Sequence, residues 1–317
     1  MEYTEKYYRS HREGVYRSAQ SIVPLLLPLI HPKSVVDVGC GIGTWLSVFM
    51  EHGISDILGI DREYVPRDML EIPEEKYLAF DLRNPLEVDR HFDLVITLEV
   101  AEHLPGDCAD TFVESLTRLG PVILFSAAIP FQGGTDHRNE QWPDYWETLF
   151  ETKGYHVLDP IRKHIWRNDN IDYWYRQNTL MFVQKEHLQD NPLLQRERDA
   201  CRMSQISMVH PDLFLEMSKK LSEAMEKYRY YEMESQKRKE ESEEHRKKAE
   251  QYVAEAERYK SEMKVHKERA EFYIAEAEGY KRKADPRNMS LKEMAKALPI
   301  VIGRAIRNKA KIHDEKA

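Results

Sequence analysis

Three glycines at alternate positions, Gly39, Gly41 and Gly43, follow directly on the run Val35-Val36-Asp37-Val38. Glycine at that spacing lets a turn of main chain lie against a ligand, because Cβ atoms would block both the turn and the approach. Carboxylates close the next apolar runs: Asp61 after Ile57-Leu58-Gly59-Ile60, Asp81 after Tyr77-Leu78-Ala79-Phe80, and Glu99 after Leu94-Val95-Ile96-Thr97-Leu98. A proton-accepting group comes later. Asp136, His137 and Glu140 lie between the bend at Gly133-Gly134 and the aromatic pair Trp142 and Trp146. An imidazole ordinarily titrates at about 6.5, so His137 can take a proton at neutral pH, with Asp136 or Glu140 orienting it. The same two residues, His137 and Glu140, also suit the cap of a helix starting near Trp142. His103, after Glu102, is a second candidate base. A metal site of Asp136, His137 and Glu140 has nothing to fix its geometry, so no metal is expected.

The glycine spacing narrows the ligand. A dinucleotide fingerprint requires a third glycine at position 44, but Thr44 is there and Gly43 comes one position early. A phosphate-cradling G-x-x-x-x-G-K-[ST] loop has no match. Strand-like and helix-like segments alternate around these residues, which predicts an α/β domain with a mostly parallel sheet and crossover helices. Strands are expected near 34–38, 56–60, 76–80, 92–98, 121–127, 155–160 and 178–185, and helices near 43–52, 108–119 and 142–153. Gly120-Pro121 and Gly154 serve as helix stops. The apolar stretch Ile22–Ile30 is too short to span a membrane and carries two prolines, so it is expected to cover the sheet as a helix.

The form D-x-G-x-G-x-G resembles the first motif of class I S-adenosylmethionine-dependent methyltransferases, and Glu99-Val100-Ala101-Glu102-His103-Leu104 looks like that family's E-V-x-E-H-L ending after the fourth strand. The resemblance covers about residues 1–185. It implies a Rossmann-like fold with seven strands, the last two forming an antiparallel hairpin, and S-adenosylmethionine as the cofactor. Asp37, Gly39, Gly41, Gly43, Asp61, Asp81, Leu82 and Glu99 are then the cofactor-binding residues. Asp61 would accept hydrogen bonds from the ribose hydroxyls, and Asp81 from the adenine amino group. Tyr8, Arg12 and Arg17 would close the pocket, or sit on an ordinary helix surface. The run H-x-N-E-Q-W-P-x-Y-W (His137–Trp146), together with Trp174-Tyr175-Arg176-Gln177-Asn178 before the last strand, is similar to methyltransferases of glycan-assembly and polysaccharide clusters. It implies a glycan, sugar or other small-molecule hydroxyl as acceptor, with two tryptophans as a stacking platform.

Charge and cysteine content bound the remaining classes. A net charge of -8 offers no general attraction to nucleic acid, which is therefore not an expected partner. Three scattered cysteines give neither a disulfide framework nor a zinc cluster, and suggest a reducing, cytoplasmic compartment, extending to the inner face of a membrane. Cys40, in the glycine turn, reads as a small residue facing the core.

Past residue 212 the chain changes character. No proline occurs from Asp212 to Asp285, and Phe214, Leu221, Tyr228, Ala249, Ala256, Met263, Ala270, Ala277 and Ala284 share one heptad phase. Tyr231, Tyr252, Tyr259, Tyr273 and Tyr280 share another, three residues on. The segment 249–260 recurs at 270–281, a shift of three whole heptads. These phases fit the a and d positions of a coiled coil, and hence a homo-oligomer. Polar residues interrupt the seam at Ser235, Arg238, Ser242, His245 and His266. The expected organisation is a methyltransferase domain at 1–190, a linker at 191–211, a coiled coil at 212–285 and a basic amphipathic tail at 286–317. From Arg287 to Lys316 eight Lys or Arg stand against three acids, so this tail is expected to dock on a protein partner or an anionic membrane surface. Two other readings remain open: a coiled-coil scaffold on a degenerate cofactor domain, and a protein or RNA methyltransferase. An N/D-P-P-[YF] signature of amine methylation is absent after the fourth strand.

Overall fold

The computed structural model describes residues 5–63 and 65–283. The tail at 286–317 and position Ala284 of the heptad seam lie outside them, as do the side chains of Ala277 and Tyr280. The chain divides into two units, residues 1–225 and 226–317.

In the first unit, α1 (Glu5–Ile30) leads into β1 (Ser34–Val38), α2 (Thr44–Glu51), β2 (Asp56–Asp61), β3 (Tyr77–Ala79) and β4 (Leu94–Leu98). Then come α3 (Ala109–Leu119), β5 (Val122–Ser126), α4 (Pro143–Thr152), β6 (Tyr155–Leu158), α5 (Arg162–Ile165), α6 (Tyr173–Asn178) and β7 (Leu180–Gln184). The short helices α7 (Lys185–Gln189) and α8 (Pro192–Ala200) precede α9 (Pro211–Lys283). All seven strands form one sheet in the order β3-β2-β1-β4-β5-β7-β6. Every pair is parallel except those of β7, which runs antiparallel to both β5 and β6.

Successive side chains of a strand point to opposite faces, and the central strands supply apolar groups to both. Leu94 and Ile96 of β4 join the cluster under α1 and α2, whereas Val95 joins the one under α3 and α4. In β5 Val122 and Leu124 face the first cluster, and Ile123 and Phe125 the second. This two-sided burial is why the strands read as unbroken apolar runs. Ile22, Val23 and Leu26 of α1 are fully buried against the sheet despite Pro24 and Pro28.

The order reverses at β1: β2 and β3 lie on one side, β4 and β5 on the other. Crevices at the carboxyl ends of strands on either side of such a reversal are where open α/β sheets hold ligands. Residues 191–211 carry α8, whose Leu194 is fully buried, and a segment that buries Ile206. Asn191 accepts a hydrogen bond from Leu194 N at 3.3 Å and so caps α8. No described helix is long and apolar enough to cross a membrane.

Candidate active site

The turn after β1 is built for close contact. Gly39, Gly41 and Gly43 have φ of 88°, 55° and 86°, all in the left-handed region. A Cβ on Gly39 would fall 2.4 Å from Val100 Cγ2, and one on Gly43 would fall 2.9 Å from Ile72 Cγ1. The Gly41 position is more open and faces Tyr8 of α1, whose Cε1 would be 3.3 Å from a Cβ there. Gly39 N and Cys40 N both donate to Ile60 O, which holds the turn against the end of β2.

Asp61 sits at that strand end. Its Oδ2 accepts from Gly41 N at 2.7 Å and its Oδ1 from Arg62 N at 2.6 Å. Each oxygen of an ionised carboxylate can accept a second hydrogen bond, so Asp61 retains capacity for a ligand's hydroxyls. Asp37, within β1, is buried, and its Oδ2 has no hydrogen-bond partner. Burial, with the charge of Asp61 behind it, pushes the Asp37 carboxyl well above the usual carboxylate range. Cys40 is buried and its thiol is likewise pushed up by burial, which fits a core role.

Asp81 lies just past β3 and is engaged by arginine. Its carboxylate accepts from Arg83 Nε at 2.9 Å, also pairs with Arg83 Nη2, and stands 3.8 Å from Arg62 Nε. Those hydrogen bonds hold its carboxyl below the usual range. The Leu82 side chain is buried in the core under α3 and α4. Arg12 of α1 is paired with Glu71 rather than standing free toward the turn.

Glu99 begins the turn after β4 with φ of 57° and its N–H donating to Ser126 O and Oγ. Asn178 Nδ2 donates to its Oε1 at 3.1 Å and Gln132 Nε2 to its Oε2 at 3.3 Å. The network continues through Gln177, whose Nε2 donates to both Gln132 Oε1 and Asn178 Oδ1. Its Oε1 accepts from His210 N at 2.8 Å. Burial raises the Glu99 carboxyl, against the pull of these donors.

His137 and Glu140 are brought together: Nδ1 lies 2.8 Å from Glu140 Oε1. Glu140 also accepts from Phe131 N at 2.7 Å and Gly133 N at 3.0 Å, which closes the loop around itself. Because a carboxylate only accepts, the proton of that bond belongs to Nδ1 and the lone pair of His137 is left on Nε2. Asp136 turns to Arg138, at 3.5 Å, so Glu140 is the carboxylate on the His137 ring. The helix following the loop carries no side-chain cap. His103 packs edge-on against His137, ring centroids 4.9 Å apart, and hydrogen-bonds to the backbone of Asp136. Burial lowers its pKa to about 4, so His103 is neutral near pH 7.

Two placements depart from the sequence reading. Trp146, expected in a stacking platform with Trp142, is buried against Phe125 in the core; only Trp142 is exposed. Glu102, read only as part of a motif, is fully buried, its carboxyl pushed well above the usual range by burial and by the neighbouring charge of Glu99, while its backbone oxygen accepts from Arg138 N and Asn139 N. Its ligand atoms and those of His103 and His137 all lie within 4.8 Å of one another.

Residues 8–160 match the family model described as Methyltransferase domain. The chain is 23% identical over 209 residues to the mitochondrial ubiquinone biosynthesis O-methyltransferase of Dictyostelium discoideum, covering 59% of this chain. It spans 61% of that relative's length. Among solved structures, it is similar to the sugar N-methyltransferase KedS8 from Streptoalloteichus, with TM-score 0.45 and 14% identity over 57% of this chain and 92% of that one. A second is magnesium protoporphyrin IX methyltransferase from Synechocystis with bound SAH, with TM-score 0.42 and 16% identity over 57% of this chain and 89% of that one.

Proposed function

We propose that the methyltransferase domain carried by this chain uses S-adenosylmethionine to methylate a hydroxyl of a glycan, a sugar or another small molecule. The carrying observation is the Gly39–Gly43 turn, at the sheet's reversal point, with Asp61 seated on the Gly41 amide. The residues fit the cofactor: Gly39 leaves no room for a Cβ, and the buried Asp37 Oδ2 and the two Asp61 oxygens have acceptor capacity to spare. Gly39, Gly41, Gly43, Asp37 and Asp61 would hold it, with Asp81, the Leu82 main chain and Glu99 at the adjoining strand ends. The bound cofactor supplies an activated methyl group.

What remains for this chain is to align the acceptor oxygen and remove its proton. His137 Nε2 carries the lone pair for that removal, and Glu140 fixes the ring and stabilises its charged form. Asp136 adopts φ 62° in the loop and pairs with Arg138. A hydroxyl acceptor is favoured over an amine because Glu140 holds a histidine base, and because Glu99-Val100-Ala101-Glu102 stands where amine methylation would need N/D-P-P-[YF]. Three unpaired thiols agree with a cytoplasmic setting.

The long helix supports a homo-oligomer. Along α9 the a-phase residues Phe214, Leu221, Tyr228 and Met263 and the d-phase residues Tyr231, Tyr252, Tyr259 and Tyr273 are all exposed in the single chain. A parallel second copy would bury them as a coiled coil. The tail at 286–317, outside the described residues, is proposed as a docking segment for a protein or an anionic membrane.

Calorimetry with S-adenosylmethionine tests the donor half; no measurable binding refutes the enzyme reading and favours a scaffold. Transfer of labelled methyl to nucleotide sugars and lipid-linked glycans, compared with His137→Ala, tests the acceptor half. Loss of the base is expected to slow transfer by about 10²–10⁴-fold.

A further inference from the structure

We infer that the cavity beyond the carboxyl end of β6 binds a phosphate or diphosphate group carried by the methyl acceptor. This deepens the proposed function and rests on its small-molecule reading.

The cavity has a volume of about 480 Å³ and is lined by residues of the segment after β6, of α8 and of the stretch that follows α8. Pockets of this size hold small ligands. Its charges are lopsided: Arg162, Lys163, Arg167 and Arg202 stand against Asp159 and Glu197. Both carboxylates are already taken, Asp159 by Arg162 at 2.8 Å and Glu197 by Lys163. Neither Arg167 nor Arg202 has an ion pair among the described residues, in a chain whose net charge is -8. Two guanidinium forks offer more donors than a single carboxylate can accept, and they match the several oxygens of a phosphate or diphosphate.

Arg162 supplies a second, independent observation. It is 1% exposed, and its Nη1 and Nη2 are fixed on Gln177 O, Ile206 O, Gln205 O and Asp159 Oδ2. Its Nε has no hydrogen-bond partner, and neither has the buried Asp159 Oδ1. A donor and an acceptor left open in the lining of one cavity call for a ligand that meets both. A phosphate oxygen answers the first and a hydroxyl the second. Trp166 and Met208 give the cavity an apolar side. The indole is steadied by His210, whose ring centroid lies 4.6 Å away and whose Nε2 bonds to the Trp166 carbonyl. A phosphorylated sugar or a nucleoside diphosphate sugar brings the anion, the hydroxyls and the ring together.

Position ties the cavity to the acceptor. Register pairs Leu158 of β6 with Met181, and Leu180 of β7 with Phe125 of β5, so β6 ends level with the carboxyl end of β5. Two strand spacings separate those ends, about 10 Å along the sheet. An acceptor whose hydroxyl lies beyond β5 therefore reaches the cavity with a phosphate one sugar unit away. The link is mechanical too. Arg162 Nη1 holds the main chain of Gln177, whose side chain belongs to the Glu99 network.

The experiment titrates the full chain with inorganic pyrophosphate in a calorimeter, at low salt because exposed charges are screened. Wild type is expected to take up a single equivalent. Arg167→Ala and Arg202→Ala, both at exposed side chains, are each expected to weaken binding by about 10–100-fold, the loss of a charge-assisted contact. Arg196→Ala, an exposed arginine of α8 outside the cavity, is expected to leave it unchanged. Uridine diphosphate glucose is expected to bind more tightly than pyrophosphate, with the same dependence on Arg167 and Arg202. No binding of either probe by wild type, or equal weakening by all three substitutions, overturns the inference. Calorimetry with S-adenosylmethionine on the same protein separates the two readings. If the cofactor binds and neither diphosphate does, the cavity's role falls and the proposed function stands. If pyrophosphate binding depends on Arg167 and Arg202 while the cofactor fails to bind, the proposed function falls and the anion site survives it.

Discussion

Alanine at Gly39 measures how tightly the turn is built. Two costs add there. The backbone sits at φ 88°, and an L side chain in the left-handed region costs roughly 1–2 kcal/mol. The new Cβ would also meet Val100 Cγ2 at 2.4 Å and Cγ1 at 2.8 Å. Val100 is β-branched and has no long arm to swing aside, and the turn before it is held by Glu99 N on Ser126 O at 3.0 Å. Overpacking of this kind costs about 1–3 kcal/mol. The sum, about 2–5 kcal/mol, lowers the melting temperature by roughly 4–20 °C for a domain of this size. Gly154 provides the control. Its φ is 84° but nothing lies within 4 Å of a Cβ, so Gly154→Ala bears the backbone cost alone. Thermal and urea unfolding of the full-length variants give both numbers. Adding Val100→Ala to Gly39→Ala should return the overlap share, about 1–3 kcal/mol, and leave the rest. Equal destabilisation by Gly39→Ala and Gly154→Ala, or no recovery in the double variant, would refute the reasoning.

The fully buried Arg162 donates from Nη1 to Gln177 O and Ile206 O, and from Nη2 to Asp159 Oδ2 at 2.8 Å and Gln205 O. Arg162→Ala strands those acceptors and should cost about 3–5 kcal/mol in urea unfolding; a change below the error of the method would show that the pairing contributes nothing net. Asn191→Ala, which removes the cap of α8, should cost about 1 kcal/mol by the same measurement. Tyr252→Glu with Tyr259→Glu places charges in the proposed seam and should shift the full chain toward monomer in sedimentation at unchanged helicity; an unaltered mass would remove those tyrosines from any interface.

The sheet was legible because parallel strands buried on both faces are written as continuous apolar runs, and because the first four end in a carboxylate or glycine that the run makes conspicuous. Asp61 and the glycine turn were found that way, and so was the uninterrupted α9. The pairing of His137 with Glu140 was visible as a three-residue spacing. Glu102 was not. Beside Glu99 and His103 it looks like one more polar residue of a turn, and only the fold shows that it points into the core. Gln177 and Asn178 stood out only as part of a motif before the last strand, and their amide network with Gln132 was not legible, since neutral side chains carry no charge pattern and their partners are far apart in sequence. Trp146 misled for a simple reason: two tryptophans four residues apart lie on one helical turn, but Trp142 precedes α4, so only the second is turned inward. Residues 191–211 lack the long periodicity that announces a packed element, and one buried leucine was too small a signal.

His210 has a consequence for how the protein opens. The first turn of a helix is ordinarily where it frays, because its amides lack partners. Here Asp212 N donates to His210 Nδ1, His210 Nε2 bonds to Trp166 O, and His210 N is held by the same Gln177 that joins the Glu99 network. Unwinding the start of α9 therefore withdraws a partner of Gln177 from the Glu99 network, which couples the two. A ligand that stabilises the Glu99 network also stabilises that turn, by about 2.7 kcal/mol when present at 100 times its dissociation constant. Occupancy of the crevice becomes readable as slowed amide exchange in the first turn of a helix that need not touch the ligand.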